Sequence, residues 1–192
     1  MKGASPQSAA SNGVFDRDGW LSRARRIDSP NQDERPEGVQ VTLLVLHNIS
    51  LPPGQFGGPG VIDFFLNRLV HATHPYYAGL LGMRVSSHFF LRRDGELVQF
   101  VPCERRAWHA GASRWQGRQR CNDFSIGIEL EGTDELPYSD LQYAELALLT
   151  REIGARYPIQ DVAGHSDIAP GRKTDPGPSF DWVRYRRLLA PT

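Results

Sequence analysis

The run Val41-Thr42-Leu43-Leu44-Val45-Leu46 constrains this chain most, because its residues are apolar on successive positions rather than on alternate ones. That pattern suits a strand covered on both faces, which needs a layer of structure on each side of its sheet. At 192 residues the chain is long enough to bury such a core within one domain. His47 follows the run directly, at the end of the strand, where open α/β sheets place ligands. A histidine there reads either as a ligand or as a hydrogen-bonded core residue.

The other elements fall around that strand. Asp18 to Gly38 reads as an irregular segment lying over the domain, and Leu51 to Gly60, with three prolines and four glycines, as a loop. Val61 to Val70 has helical spacing, with Val61, Phe64, Phe65 and Leu69 on one face. Ser86 to Pro102 is a hairpin whose arms, His88–Leu91 and Leu97–Val101, flank the turn signal Asp94-Gly95. Ala107 to Asn122 is loop-like, and Phe124 to Leu130 is a strand. Ser139 to Arg156 is an amphipathic helix with Ser139 as N-cap, and Trp182 to Leu189 is a short terminal helix. Strands interleaved with helices give an α/β fold: one domain with a central mixed β-sheet flanked by helices. Residues 1–13 are Ser/Ala/Gly-rich and are expected to form a disordered tail to a domain spanning residues 14–192.

Composition excludes some partners. Lys and Arg total 22 against 22 Asp and Glu, a balance that argues against a nucleic-acid binder. No apolar run approaches the roughly 20 residues that span a bilayer, so no membrane partner is expected. The N-terminal segment lacks the apolar core of a secretory signal, which makes the cytoplasm the expected address. Cys103 and Cys121 form no CxxC pair and are expected as free thiols.

The segment Gly164-His165-Ser166-Asp167-Ile168-Ala169-Pro170-Gly171-Arg172-Lys173-Thr174-Asp175-Pro176-Gly177 gathers an imidazole, an ammonium and a carboxylate. Its Pro and Gly content predicts a loop over Val162 to Asp181, with neither helix nor strand, shaped by tertiary structure. Two histidines and an aspartate would leave one position of a tetrahedral zinc open, as hydrolysis requires. In Ser125-Ile126-Gly127-Ile128-Glu129-Leu130-Glu131-Gly132 the apolar residues alternate, so Gly127, Glu129 and Glu131 share the opposite face. A carboxylate on that face is solvated or aimed into a cleft; beside a metal, Glu129 becomes a general base.

His47-Asn48, Arg84-Val85-Ser86-Ser87-His88, Arg106-Ala107-Trp108-His109-Ala110-Gly111, Cys121 through Gly132 and Gly164 through Gly177 together closely resemble the zinc-dependent type 2 N-acetylmuramoyl-L-alanine amidases. The likeness runs from about Asp18 to Tyr185, and is strongest to members acting on 1,6-anhydro-N-acetylmuramyl-L-alanine in the cytoplasm. Their fold is shared with peptidoglycan recognition proteins and phage T7 lysozyme. The resemblance implies that His47, His165 and Asp175 bind Zn2+, that Glu129 activates water, and that Lys173 stabilises the oxyanion on the amide carbonyl. A solvated surface lysine is the alternative for Lys173, and its position two residues before Asp175 weighs against it.

The implied substrate is a small muropeptide, cut between the lactyl group of the anhydro-sugar and L-alanine, by a monomeric enzyme. Trp108 would offer its face to the sugar, or else be a core tryptophan. Arg84 and Arg120 would grip carboxylates with paired donors, and Asn48 and Tyr76 would touch substrate. His109 is expected behind the site, and neither it nor His71, His74 or His88 is assigned to the metal. An amidase acting on intact cell wall and a non-catalytic peptidoglycan-binding module are the competing readings. In bacteria with inducible β-lactamase, such enzymes remove inducing muropeptides, so their loss would raise resistance.

Overall fold

A computed structural model describes residues 14–190; the expected tail, residues 1–13, lies outside them. Ten strands and four α-helices follow along these residues. They are β1 (Arg25–Arg26), β2 (Gln32–Glu34), β3 (Leu43–Ile49), α1 (Gly60–Phe65), β4 (Phe89–Leu91), β5 (Leu97–Gln99) and β6 (Arg105–Ala107). Then come β7 (Arg114–Trp115), β8 (Arg118–Gln119), β9 (Ser125–Glu131), α2 (Asp140–Arg156), β10 (Asp161–Gly164), α3 (His165–Ile168) and α4 (Trp182–Leu189). Six strands form one sheet in the order β1-β5-β4-β9-β3-β10. Only β4 and β5 run antiparallel within it, so the sheet is mixed and the expected α/β class holds.

Side-chain parity divides the sheet into two faces. Leu44 and Leu46 of β3 and Ile126, Ile128 and Leu130 of β9 pack with Leu146, Leu149 and Ile153 of α2 and Tyr185 of α4. Leu43 and Val45 point the other way, against Ala110, Phe124, Ala163 and Ile168. Beside them α1 lays Val61, Phe64 and Phe65 on Phe90, Val98 and Phe100. The residues after Val45 and Gly127 on this second face are His47 and Glu129, so strand periodicity alone carries both side chains away from α2.

Several elements differ from their sequence expectation, each for a local reason. The strand at β3 outlasts its apolar run by three residues, because β9 keeps pairing as far as Ile49–Glu131. The helix expected to reach Val70 stops at Phe65. There Asn67 takes φ 58° and the bonds Arg68 N–H to Asp63 O and Asn67 N–H to Phe64 O close a Schellman motif, with asparagine in the position glycine usually fills.

The loop expected at Val162–Asp181 is a loop only in its later part. Its first residues form β10, paired in parallel with β3, and the one-turn helix α3, whose Asp167 carboxylate accepts the Gly164 N–H at 2.7 Å. Those partners lie far away in sequence, which is why composition missed them. Within the loop-like stretch 107–122, β7 and β8 form a small hairpin across Gln116-Gly117, both at positive φ as a type I′ turn requires. The irregular segment 18–38 contributes β1, on the sheet edge, and β2, which pairs with β6.

Helix α2 begins as expected. Ser139 Oγ accepts the Gln142 N–H, and the Gln142 side chain accepts the Ser139 N–H, both at 3.1 Å, a complete capping box. Ser139→Ala should therefore lower unfolding free energy by about 1–2 kcal/mol, measured as a lower urea midpoint at unchanged slope; an unchanged midpoint would show the cap to be dispensable.

Candidate metal centre and active site

Register assembles the site. His47 of β3 stands directly opposite Glu129 of β9, and Gly164 of β10 stands opposite Leu46. His165 therefore leaves β10 level with His47. The chain then turns through α3 and returns so that Asp175 C=O accepts the Ser166 N–H at 2.9 Å, placing the Asp175 side chain beside both imidazoles. His47 Nδ1 lies 2.9 Å from His165 Nδ1, and each lies 3.0 Å from Asp175 Oδ2.

These three atoms fit a metal. Donors about 2.0–2.1 Å from a tetrahedral zinc stand about 3.3 Å apart, so the triangle needs to widen by only a few tenths of an ångström. Two imidazoles and one carboxylate also leave the fourth position open. His47 and His165 are buried and Asp175 is partly so. Behind them, His47 Nε2 lies 2.9 Å from His109 Nδ1, and His165 Nε2 lies 3.2 Å from Ala110 O.

The cluster forms one wall of a cleft of about 560 Å³. Glu129 lines it and is 8% exposed, and its Oε2 has no hydrogen-bond partner among the described residues. Burial pushes its carboxyl well above the ordinary range; the Asp175 charge adds to this and Lys173 opposes it. Lys173 itself is exposed on the cleft wall. Thus Glu129 belongs to a cleft rather than to a solvated face.

The other expected residues separate into two groups. Asn48, Tyr76 and Trp108 line the cleft, with Asn48 Nδ2 donating to Asp134 Oδ1 at 2.7 Å. Arg84 and Arg120 do not line it. Arg84 is exposed beyond Met83 and Val85, while Arg120 pairs with Asp123 and borders a neighbouring hollow with Arg172. His109 lies behind His47 as expected, and His71 contacts Tyr77 O away from the cluster. His88 is buried, accepting the Gly127 N–H at Nδ1. Asn122 and Ser125, to which the sequence reading gave no role, both contact His109. Ser125 was within reach of that reading, since it shares strand parity with Gly127 and Glu129. Glu131, of the same parity, instead accepts the Gly57 and Arg93 N–H groups.

A mixed sheet that carries a His–His–Asp cluster in a cleft is the frame of a hydrolase, and the chain belongs to the N-acetylmuramoyl-L-alanine amidase family, whose pattern spans residues 37–178. Within it, the chain is similar to the 1,6-anhydro-N-acetylmuramyl-L-alanine amidase AmpD of Citrobacter freundii. The two are 57% identical over 177 residues, 91% of this chain and 95% of that protein. A crystal structure of a selenomethionine AmpD derivative matches with TM-score 0.89 at 57% identity, covering 92% of this chain and 99% of that one. The Escherichia coli amidase AmiD was solved with anhydro-N-acetylmuramic acid-L-Ala-D-gamma-Glu-L-Lys. It matches with TM-score 0.57 at 31% identity, covering 81% of this chain and 60% of that one.

Burial also sets a pH dependence. It depresses His47 to about 4, and holds His88 and His109 well below the ordinary imidazole value, with the Arg35 guanidinium adding to the effect at His88. As pH falls below about 6.5, the unfolded chain therefore takes up protons that the folded chain refuses, and stability declines. Glu129, with its raised value, works in the opposite sense, but one carboxyl faces three imidazoles. Chelator-treated protein should show a urea midpoint that falls steadily between pH 6.5 and 4; a flat or rising midpoint would mean that these rings are charged in the fold.

Proposed function

We propose that this protein is a zinc-dependent amidase that hydrolyses the bond between the lactyl group of 1,6-anhydro-N-acetylmuramic acid and L-alanine of the stem peptide, as a step of muropeptide recycling. The observation that carries the proposal is the meeting of three metal-donor atoms and an unpaired buried carboxylate in one cleft. The likeness to AmpD over most of both chains supports it. The reading carries with it the cytoplasmic address and monomeric state that the resemblance implied. In a host with inducible β-lactamase, it further implies that loss of turnover leaves inducing muropeptides intact.

His47, His165 and Asp175 would hold zinc, which when bound supplies activated water near neutral pH and Lewis acidity. Glu129 takes the proton of the attacking water on the oxygen that has no partner, and returns it to the departing alanine nitrogen. Its raised affinity for protons suits both transfers. Lys173 stabilises the negative charge that develops on the amide oxygen, an interaction that grows toward the transition state and so acts on rate. Trp108 presents an apolar face to the sugar, while Asn48, held by Asp134, and Tyr76 supply polar contacts within the same cleft. Arg84 and Arg120 are proposed only for peptide carboxylates that extend past the rim.

Mass spectrometry of purified protein incubated with anhydromuramyl tripeptide, with and without a zinc chelator, tests the reaction. Chelator-sensitive release of tripeptide and anhydro-sugar is expected; intact substrate with zinc-loaded protein would redirect the assignment to cell-wall polymer or to binding alone. Asp175→Ala should fail to retain zinc, and one equivalent found by elemental analysis would remove Asp175 from the donor set. Glu129→Ala should retain zinc but lose turnover by about two to four orders of magnitude; near-normal turnover would place the base elsewhere.

A further inference from the structure

Behind the donor cluster, hydrogen-bond directions can be assigned from one fixed point. A backbone carbonyl only accepts. Cys121 O lies 2.6 Å from Ser125 Oγ, so the hydroxyl proton is directed there. The Ser125 oxygen is then an acceptor toward His109 Nε2, 3.1 Å away, which must carry the ring proton. Buried, with His47 and Ser125 as the partners of its ring and no carboxylate between them, His109 is neutral and is left with Nδ1 as an acceptor. His47 Nε2, 2.9 Å from that atom, must in turn be protonated, and His47 Nδ1 presents a bare lone pair to His165 and Asp175. His165 Nε2 lies 3.2 Å from Ala110 O, which can only accept, and Arg172 Nη2, 3.5 Å from the same nitrogen, spends its two hydrogens on Ala110 O and Ala112 O, so Nε2 carries the His165 proton.

The arrangement has dedicated supports. Asn122 Oδ1 accepts the backbone N–H of His109 at 3.1 Å and of Ala110 at 2.8 Å, which fixes the dipeptide. Arg172 Nη2 donates to Ala110 O at 2.9 Å and to Ala112 O at 2.7 Å. Gly127 leaves room for the His109 ring, because a Cβ there would stand 2.5 Å from His109 Cγ.

From this we infer that two consecutive residues, His109 through its ring and Ala110 through its carbonyl, set the tautomers of both imidazoles at the metal centre, with Ser125 fixing the direction of the His109 link. His109 is thus a positioning residue that acts through His47. The competing state is close at hand: a His47 protonated at Nδ1 would donate to Asp175 Oδ2, 3.0 Å away, and could not bind a cation with that nitrogen. The inference rests on reading His47, His165 and Asp175 as a metal site.

Nitrogen-15 NMR of histidine tautomers in zinc-free protein, paired with competition titration of zinc alone, tests this. Wild-type protein should bind one zinc and, when zinc-free, carry the proton on Nε2 of both His47 and His109. Ser125→Ala should release the His109 tautomer and weaken zinc binding about tenfold, and His109→Phe should move the His47 proton to Nδ1 with a loss of about 10- to 100-fold. A wild-type His47 protonated at Nδ1 overturns the inference, as do unchanged tautomers and zinc affinity in Ser125→Ala, a variant that decides the matter even where His109→Phe does not fold by circular dichroism. Wild-type protein that binds no zinc would overturn the metal site itself, a different result from zinc bound with the opposite tautomer.

Discussion

The parallel pairing of β3 with β9 is the constraint on which the rest depends. It runs over seven residue pairs and fixes, in one stroke, which side chains enter the helical layer and which enter the cleft. Because side chains alternate along a strand, a slip of one residue would send Glu129 into the apolar layer beneath α2 and replace it in the cleft by an isoleucine or a leucine. The full burial of Leu44, Leu46, Ile126 and Ile128 makes that slip costly, so hydrophobic packing on one face enforces chemical geometry on the other. The second pairing, β10 along β3, then brings His165 level with His47 without any contact between the two rings having to drive it.

The cleft is an electrostatically unusual place because its charges are withheld. Burial keeps His47 and His109 neutral and raises the affinity of Glu129 for protons. A neutral His47 beside the Asp175 carboxylate presents a lone pair with little competition from protons, as a cation site needs. On the other side of His109, partly buried Arg35 shows the converse solution. Its guanidinium donates to the carbonyl oxygens of Cys103, Asn122, Asp123 and Ser125, with no carboxylate among them. Those bonds tie the chain on either side of His109 to one rigid point.

Much of this was legible in the sequence, because the features concerned are local. The capping box of α2, the α4 helix, the β4–β5 hairpin and the parity of Glu129 all depend on residues within a few positions of one another. What stayed hidden depended on distant partners. The strand β10 exists because β3 lies beside it, and the termination of α1 depends on Asn67 adopting a conformation that its identity permits but does not require. At the site, the donor residues stood out through their chemistry, whereas Asn122 and Ser125 did not, since a serine and an asparagine beside a strand have many ordinary uses. Arg84 and Arg120 show the converse: an arginine suits a carboxylate anywhere, and only the fold reveals that neither lines the cleft itself.

The placement of α2 and α4 has one more consequence. Both helices cover the sheet face opposite the cleft, and their outer surfaces carry Leu141 at 58% and Val183 at 76% exposure. A fluorophore, an affinity handle or a surface tether attached at either position would stand on the far side of the sheet from the donor cluster. The molecule therefore comes with a natural back, by which it can be held while small molecules are offered to its front.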